Sequence, residues 1–139
     1  MNGDKDARKL LGEWNRITSP VDSKDLLAYI KLRIITKVLN EGWEPKFIPG
    51  EYRWAPYFLL YTKEEIEKMN AETRARVVLR SVNNAYANGG VSFANAHYAF
   101  SIVNASLGSR LAFKSKELAE YAGKQFTEIY ADLIFKAEE

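Results

Sequence analysis

GSRLAFKSKELAEYAGKQFTEIYADLIF, Gly108–Phe135, is the stretch whose reading decides the fold. Arg110 to Lys114 alternates in the manner of a half-buried strand, with Leu111 and Phe113 facing inward. Ser115 stands where a helix N-cap is wanted. Beyond it Leu118, Ala122, Phe126, Ile129, Tyr130 and Leu133 recur on one helical face, while Glu117, Glu120, Lys124, Glu128 and Asp132 fall on the other. Glu120 precedes Lys124 in the favourable order for an ion pair. Gly123 lies at the flank of the apolar face. A glycine inside a helix costs about 1 kcal/mol against alanine, so close packing of this helix on a sheet is the expected compensation. The stretch therefore predicts a strand leading into a long C-terminal amphipathic helix.

Outward from this unit, the chain alternates between helix and strand patterns. Asp6–Ile17 predicts a short helix ended by Pro20. Asp22 can cap a second helix that carries Leu26, Leu27, Ile30, Ile34, Ile35, Val38 and Leu39, with Gly42 placed for a left-handed C-terminal cap. Its apolar arc covers more than half the circumference, which implies burial on several sides or contact with another subunit. Glu51–Tyr61 predicts an aromatic-rich strand, and Pro56 within it implies an edge or a bulge. Thr62 and Glu65 form a capping box for a short helix to Met69. Arg76–Val82 predicts a strand, Asn83–Gly90 a loop with tight turns, and Val91–Asn104 a second alternating strand. In that strand Ala94, Ala96, Tyr98, Phe100 and Ile102 point one way, and Asn95, His97, Ala99, Ser101 and Val103 the other. The expected fold is α+β: a mostly antiparallel sheet of about four strands packed against two or three helices. One domain over residues 1–139 is expected, frayed at 1–6 and 136–139.

Composition narrows the function classes. The chain has no cysteine and one histidine, which excludes thiolate metal sites, thiol catalysis and disulfides. No apolar run reaches membrane-spanning length and no secretion signal is visible, so a cytoplasmic protein without a membrane partner is expected. The net charge of +2 is too small to indicate nucleic acid by itself.

The distribution of charge is more informative. Thr73–Lys116 holds no Asp or Glu, yet contains Arg74, Arg76, Arg80, Arg110, Lys114 and Lys116. Arg76, Arg80, Arg110 and Lys114 are candidate anion-binding residues. Asn83, Asn84, Tyr86, Asn88 and His97 in the same segment are candidates for stacking or polar contact with a base. The competing reading is a set of solvated edge residues that discourage aggregation. His97 shares a strand face with Ser101, but no acid lies nearby in sequence to orient it, and no catalytic residue, cofactor or metal is assigned. Tyr52, Trp54, Tyr57, Phe58 and Tyr61 form either a sticky surface or one aromatic core face.

Three stretches carry a resemblance: Gly42–Pro45 (GWEP), Tyr52–Phe58 (YRWAPYF) and Gly108–Phe126. They are similar to a family of small uncharacterised proteins of gut bacterial phages and related mobile elements, in order over about Leu32–Leu133. The resemblance implies a phage- or prophage-encoded intracellular protein and assigns no site residue. The expected function is a non-enzymatic binding module for an anionic ligand, single-stranded nucleic acid or a nucleotide. The alternative is an oligomeric or protein-interaction role, such as an inhibitor of a host factor.

Overall fold

The structure, a computed structural model of the 139-residue chain, describes residues 8–12, 24–81, 88–100 and 108–135. Residues 8–12 are helical. They are followed by α1 (Lys24–Leu39), β1 (Tyr52–Tyr61), α2 (Lys63–Glu67), α3 (Ala71–Arg74), β2 (Val78–Ser81), β3 (Asn88–Phe100), a 3₁₀ turn at Ser109–Leu111, α4 (Lys116–Gln125) and α5 (Thr127–Ile134). The architecture is α+β, with a three-stranded antiparallel sheet in the order β1-β3-β2.

Local chemistry sets most of the boundaries. The Thr62 hydroxyl accepts from the Glu65 N–H at 3.2 Å and the Glu65 carboxylate accepts from the Thr62 N–H at 2.8 Å, closing the capping box of α2. The Asn70 and Ser115 side chains cap α3 and α4 by accepting from the Thr73 and Leu118 N–H groups, without the reciprocal bond. Gly42 adopts φ +85° just beyond α1, the conformation a glycine enters without a Cβ clash. Asp22, the expected cap of α1, lies outside the described residues.

β1 is an edge strand, as Pro56 requires. Opposite it, Tyr57 pairs with Asn95 and Phe58 with Phe93, so Ala94 is left over as a bulge. The bulge changes the parity of β3. Phe93, not Ala94, joins Ala96 and Tyr98 on the helix-covered face, and Ala94 is exposed. On that face Trp54, Pro56 and Phe58 meet α4 and α5; the Phe58 and Tyr130 ring centroids are 5.0 Å apart. A Cβ on Gly123 would collide with Pro56 and the Phe93 ring, which is the close packing that justifies this glycine. Leu32, Leu111, Phe113, Ala119, Ala122 and Tyr130 form the core.

Besides the face of Ala94, three expectations are corrected. Arg110–Lys114 is not a fourth strand. The Leu111 N–H bonds to the Gly108 carbonyl at 3.0 Å and coils the chain into a 3₁₀ turn, leaving only Phe113 to pair with Trp54. Leu111 and Phe113 still face inward and are buried. The long C-terminal helix is interrupted at Phe126 (φ −117°, ψ 28°). There the Thr127 hydroxyl donates to the Gly123 and Lys124 carbonyls, the side-chain competition that bends or breaks helices. Finally, Asn88–Gly90, expected in a loop, opens β3. A side chain at Gly90 would collide with Val77, and one at Gly89 with the Tyr61 carbonyl.

Candidate anion-binding site

The site is built on α1. Ile30, Arg33, Ile34 and Lys37 follow the i, i+3, i+4, i+7 spacing that places them on one stripe of the helix. That stripe lines a cleft of about 450 Å³. Leu10 joins Ile30 and Ile34 in an apolar lining, and Thr36, between the cleft stripe and the core, also reaches it. The Thr36 hydroxyl is buried without a hydrogen-bond partner among the described residues.

Asn40, one turn beyond Thr36, fixes the second wall. It is 4% exposed. Its Nδ2 donates to the Ala112 carbonyl at 2.9 Å, and its Oδ1 accepts from the Lys114 N–H at 3.1 Å. Phe113, between them, exchanges both backbone bonds with Trp54 at 2.9 and 2.7 Å. The segment Ala112–Lys114 is thus held by a strand on one side and by a side-chain amide imitating a strand on the other. This anchors the turn that brings Ser109 and Arg110 to the cleft.

The third wall is the loop after α1, through Trp43, Glu44, Pro45 and Phe47. Phe47 has φ +56°, a left-handed conformation that costs a bulky residue on the order of 1 kcal/mol or more. Two contacts offset it. The Glu51 carboxylate accepts from the Lys46 N–H at 3.0 Å and the Phe47 N–H at 3.2 Å. The Arg53 guanidinium lies 5.8 Å from the Phe47 ring centroid. The wall is therefore held by contacts within the chain.

Arg33, Lys37 and Arg110 place three cations on this cleft against one carboxylate, Glu44. All three are exposed. Among the described residues neither Lys37 nor Arg110 takes part in an ion pair. Arg33 lies over the Tyr29 ring at 5.9 Å. Arg33 and Lys37 stand at i and i+4, an arrangement of like charges that disfavours the helix.

The anion candidates read from sequence divide between two places. Arg110 lines the cleft, and Lys114 is exposed beside it. Arg76 is at the other end of the sheet, ion-paired with Glu72 at 3.0 Å. Arg80 is in β2 opposite Gly89; its side chain is outside the described set. From Gly89 to Tyr98, which faces Trp54, is nine residues of β3, roughly 30 Å of strand. Arg74 is engaged with the Ile66, Glu67 and Met69 carbonyls at the end of α2. His97 is exposed on the sheet face away from α4 and α5, its ring 4.4 Å from that of Tyr57. Asn83, Asn84 and Tyr86 lie outside the described residues, and of Asn88 only the backbone pairing with Ser81 is described.

Sequence reasoning missed Arg33, Lys37 and Trp43. A signal was present: Leu26–Asn40 contains Lys31, Arg33 and Lys37 and no acid, a second basic tract hidden inside an apolar helix. No group of His, Asp and Glu suited to a metal ion occurs among the described residues, and no helix there is long and apolar enough to cross a membrane. No protein-family model, curated protein or solved structure matches the chain.

Proposed function

We propose that this protein is a phage or mobile-element accessory protein that binds an anionic ligand, a nucleotide or single-stranded nucleic acid, without chemistry of its own. The observation that carries this reading is the excess of cations in a preformed cleft: Arg33, Lys37 and Arg110 against Glu44, beside Trp43 and Phe47. The volume falls in the range of about 300–1,000 Å³ typical of small-ligand pockets. The lining mixes apolar side chains with about as many polar and charged ones. The phage setting, and with it a location in the host cytoplasm, is proposed from the resemblance of Gly42–Pro45, Tyr52–Phe58 and Gly108–Phe126.

The test is binding of fluorescein-labelled nucleotides and oligonucleotides by anisotropy. Affinity is expected to fall as salt rises from about 50 to 200 mM, and to fall further in Arg110→Glu. Failure of all anions to bind in low salt overturns the reading. A second reading, self-association or a protein partner, is favoured by exposed Tyr57, Leu59 and Leu79 on the sheet face away from α4 and α5. Light scattering at high concentration tests the self-association arm, and a strict monomer removes it.

A further inference from the structure

We infer that the cleft over α1 takes a mononucleotide by its terminal phosphate monoester, and not an internal stretch of a nucleic-acid strand. The inference rests on the reading of this cleft as an anion site and narrows it by charge and shape. Three cations against one carboxylate leave two positive charges in excess. A phosphate monoester carries about −1.5 to −2 at neutral pH, and matches that excess from a single group. An internal phosphodiester carries one charge and would leave the cleft undercompensated. Arg33 and Arg110 offer planar guanidinium forks suited to two oxygens of one phosphate, and Lys37 adds a point charge.

Shape argues the same way. The cations share the cleft with an apolar lining of Leu10, Ile30 and Ile34 and with the indole of Trp43. A nucleic-acid strand needs a track of cations with successive stacking rings. Lys114 is exposed beside the cleft, but Arg74 and Arg76 do not extend it into such a track. Arg74 and Arg76 are bound to carbonyls and to Glu72 at the far end of the sheet. A single ring on the apolar and indole surface, with one phosphate at the three cations, accounts for both halves of the lining. The contacts to a base are stacking and apolar, so the proposal is for the nucleotide class and not for one base.

Isothermal titration of the full chain with AMP, adenosine, inorganic phosphate, adenosine 5′-(methyl phosphate) and the dinucleotide ApA tests this. AMP is expected to bind, and adenosine, phosphate, the methyl ester and ApA each to bind weaker by on the order of tenfold or more, the effect of losing one charge-assisted contact. Lys37→Glu and Arg110→Glu, both at exposed positions, are expected to lose AMP by on the order of tenfold or more with an unchanged far-UV circular dichroism spectrum. If ApA or the methyl ester binds as tightly as AMP and still depends on Arg110, the anion site stands and the monoester assignment falls. Adenosine matching AMP also overturns the assignment. If none of the charged probes binds, both readings fall together.

Discussion

The two long faces of α1 are built from similar residues and end in opposite conditions. One face carries Ala28, Leu32, Ile35 and Leu39 into the core, with Leu32 fully buried beside Phe113 and Tyr130. The other carries Ile30 and Ile34, equally apolar, to a cleft where Arg33 and Lys37 stand among them. The same helix is thus scaffold on one side and cleft wall on the other. This division accounts for Ile30, Ile34, Ile35 and Leu39 of the broad apolar arc, while Leu26 and Val38 stay exposed. Apolar residues on a helix report burial or a lining with equal force, and only the charges between them separate the two.

The sharpest way to break the contrast is to damage the core face alone. Leu32→Ala is expected to destabilise the fold by about 2–5 kcal/mol, the usual cost of a large-to-small change at a closed site. Urea unfolding would measure it. A comparable loss from Ile34→Ala would show that the cleft is a closed part of the core.

Asn40 joins the two faces and comes next in size. Asn40→Ala leaves the Ala112 carbonyl and the Lys114 N–H without their side-chain partner. A loss of roughly 2–4 kcal/mol is expected from one buried and one part-buried polar group. Nucleotide affinity should drop as well, because the turn carrying Arg110 loses its anchor. Asn40→Asp keeps an acceptor for the Lys114 N–H but sets a buried carboxylate against the Ala112 carbonyl, so a loss at least as large as that of Asn40→Ala is expected. A smaller loss than that of Asn40→Ala would show that the carboxyl is protonated there and donates to the Ala112 carbonyl.

How much of this was legible in the sequence follows from the range of the interactions. The Thr62–Glu65 capping box, the Ser115 cap and the left-handed Gly42 depend on neighbours within four residues, and each formed as expected. Gly123 could be assigned a packing role because its cost inside a helix has to be offset, though its partners Pro56 and Phe93 could not be named. The failures are long-range or geometric. Alternation at Arg110–Lys114 identified Leu111 and Phe113 as buried, but a 3₁₀ turn can bury them as well as a strand can. Periodicity followed the apolar face through Phe126 and was blind to the change of axis there. The cleft was illegible for a related reason. Arg110 and Lys37 are brought to it by the Asn40 amide, which spans more than seventy residues of chain, and nothing local marks that pairing.

A buried hydroxyl on the core side gives a smaller effect with a pH signature. Burial pushes the Tyr130 phenol above its ordinary range, and its oxygen has no partner among the described residues. The folded state therefore keeps this proton while the unfolded state releases it above about pH 10. Through this group, stability is independent of pH below that value and declines as pH rises toward the folded value. Tyr130→Phe is expected to stabilise the protein by about 1 kcal/mol at neutral pH, by removing an unsatisfied polar group. It should also flatten the alkaline decline in melting temperature. An unchanged alkaline limb would show that other groups, the lysines first, cause the decline.

The smallest expected effect is the most discriminating for the cleft face. Lys37 sits one turn from Arg33, and like charges at that spacing destabilise a helix by about 0.2–0.5 kcal/mol. Lys37→Ala relieves the repulsion, so a slight gain in stability is expected together with a loss of nucleotide affinity on the order of tenfold. A purely structural lysine would give the reverse, a loss of stability with binding unchanged. Chemical denaturation and nucleotide titration on the same preparation separate the two, and the sign of the stability change decides whether this face of α1 is maintained at a cost for its ligand.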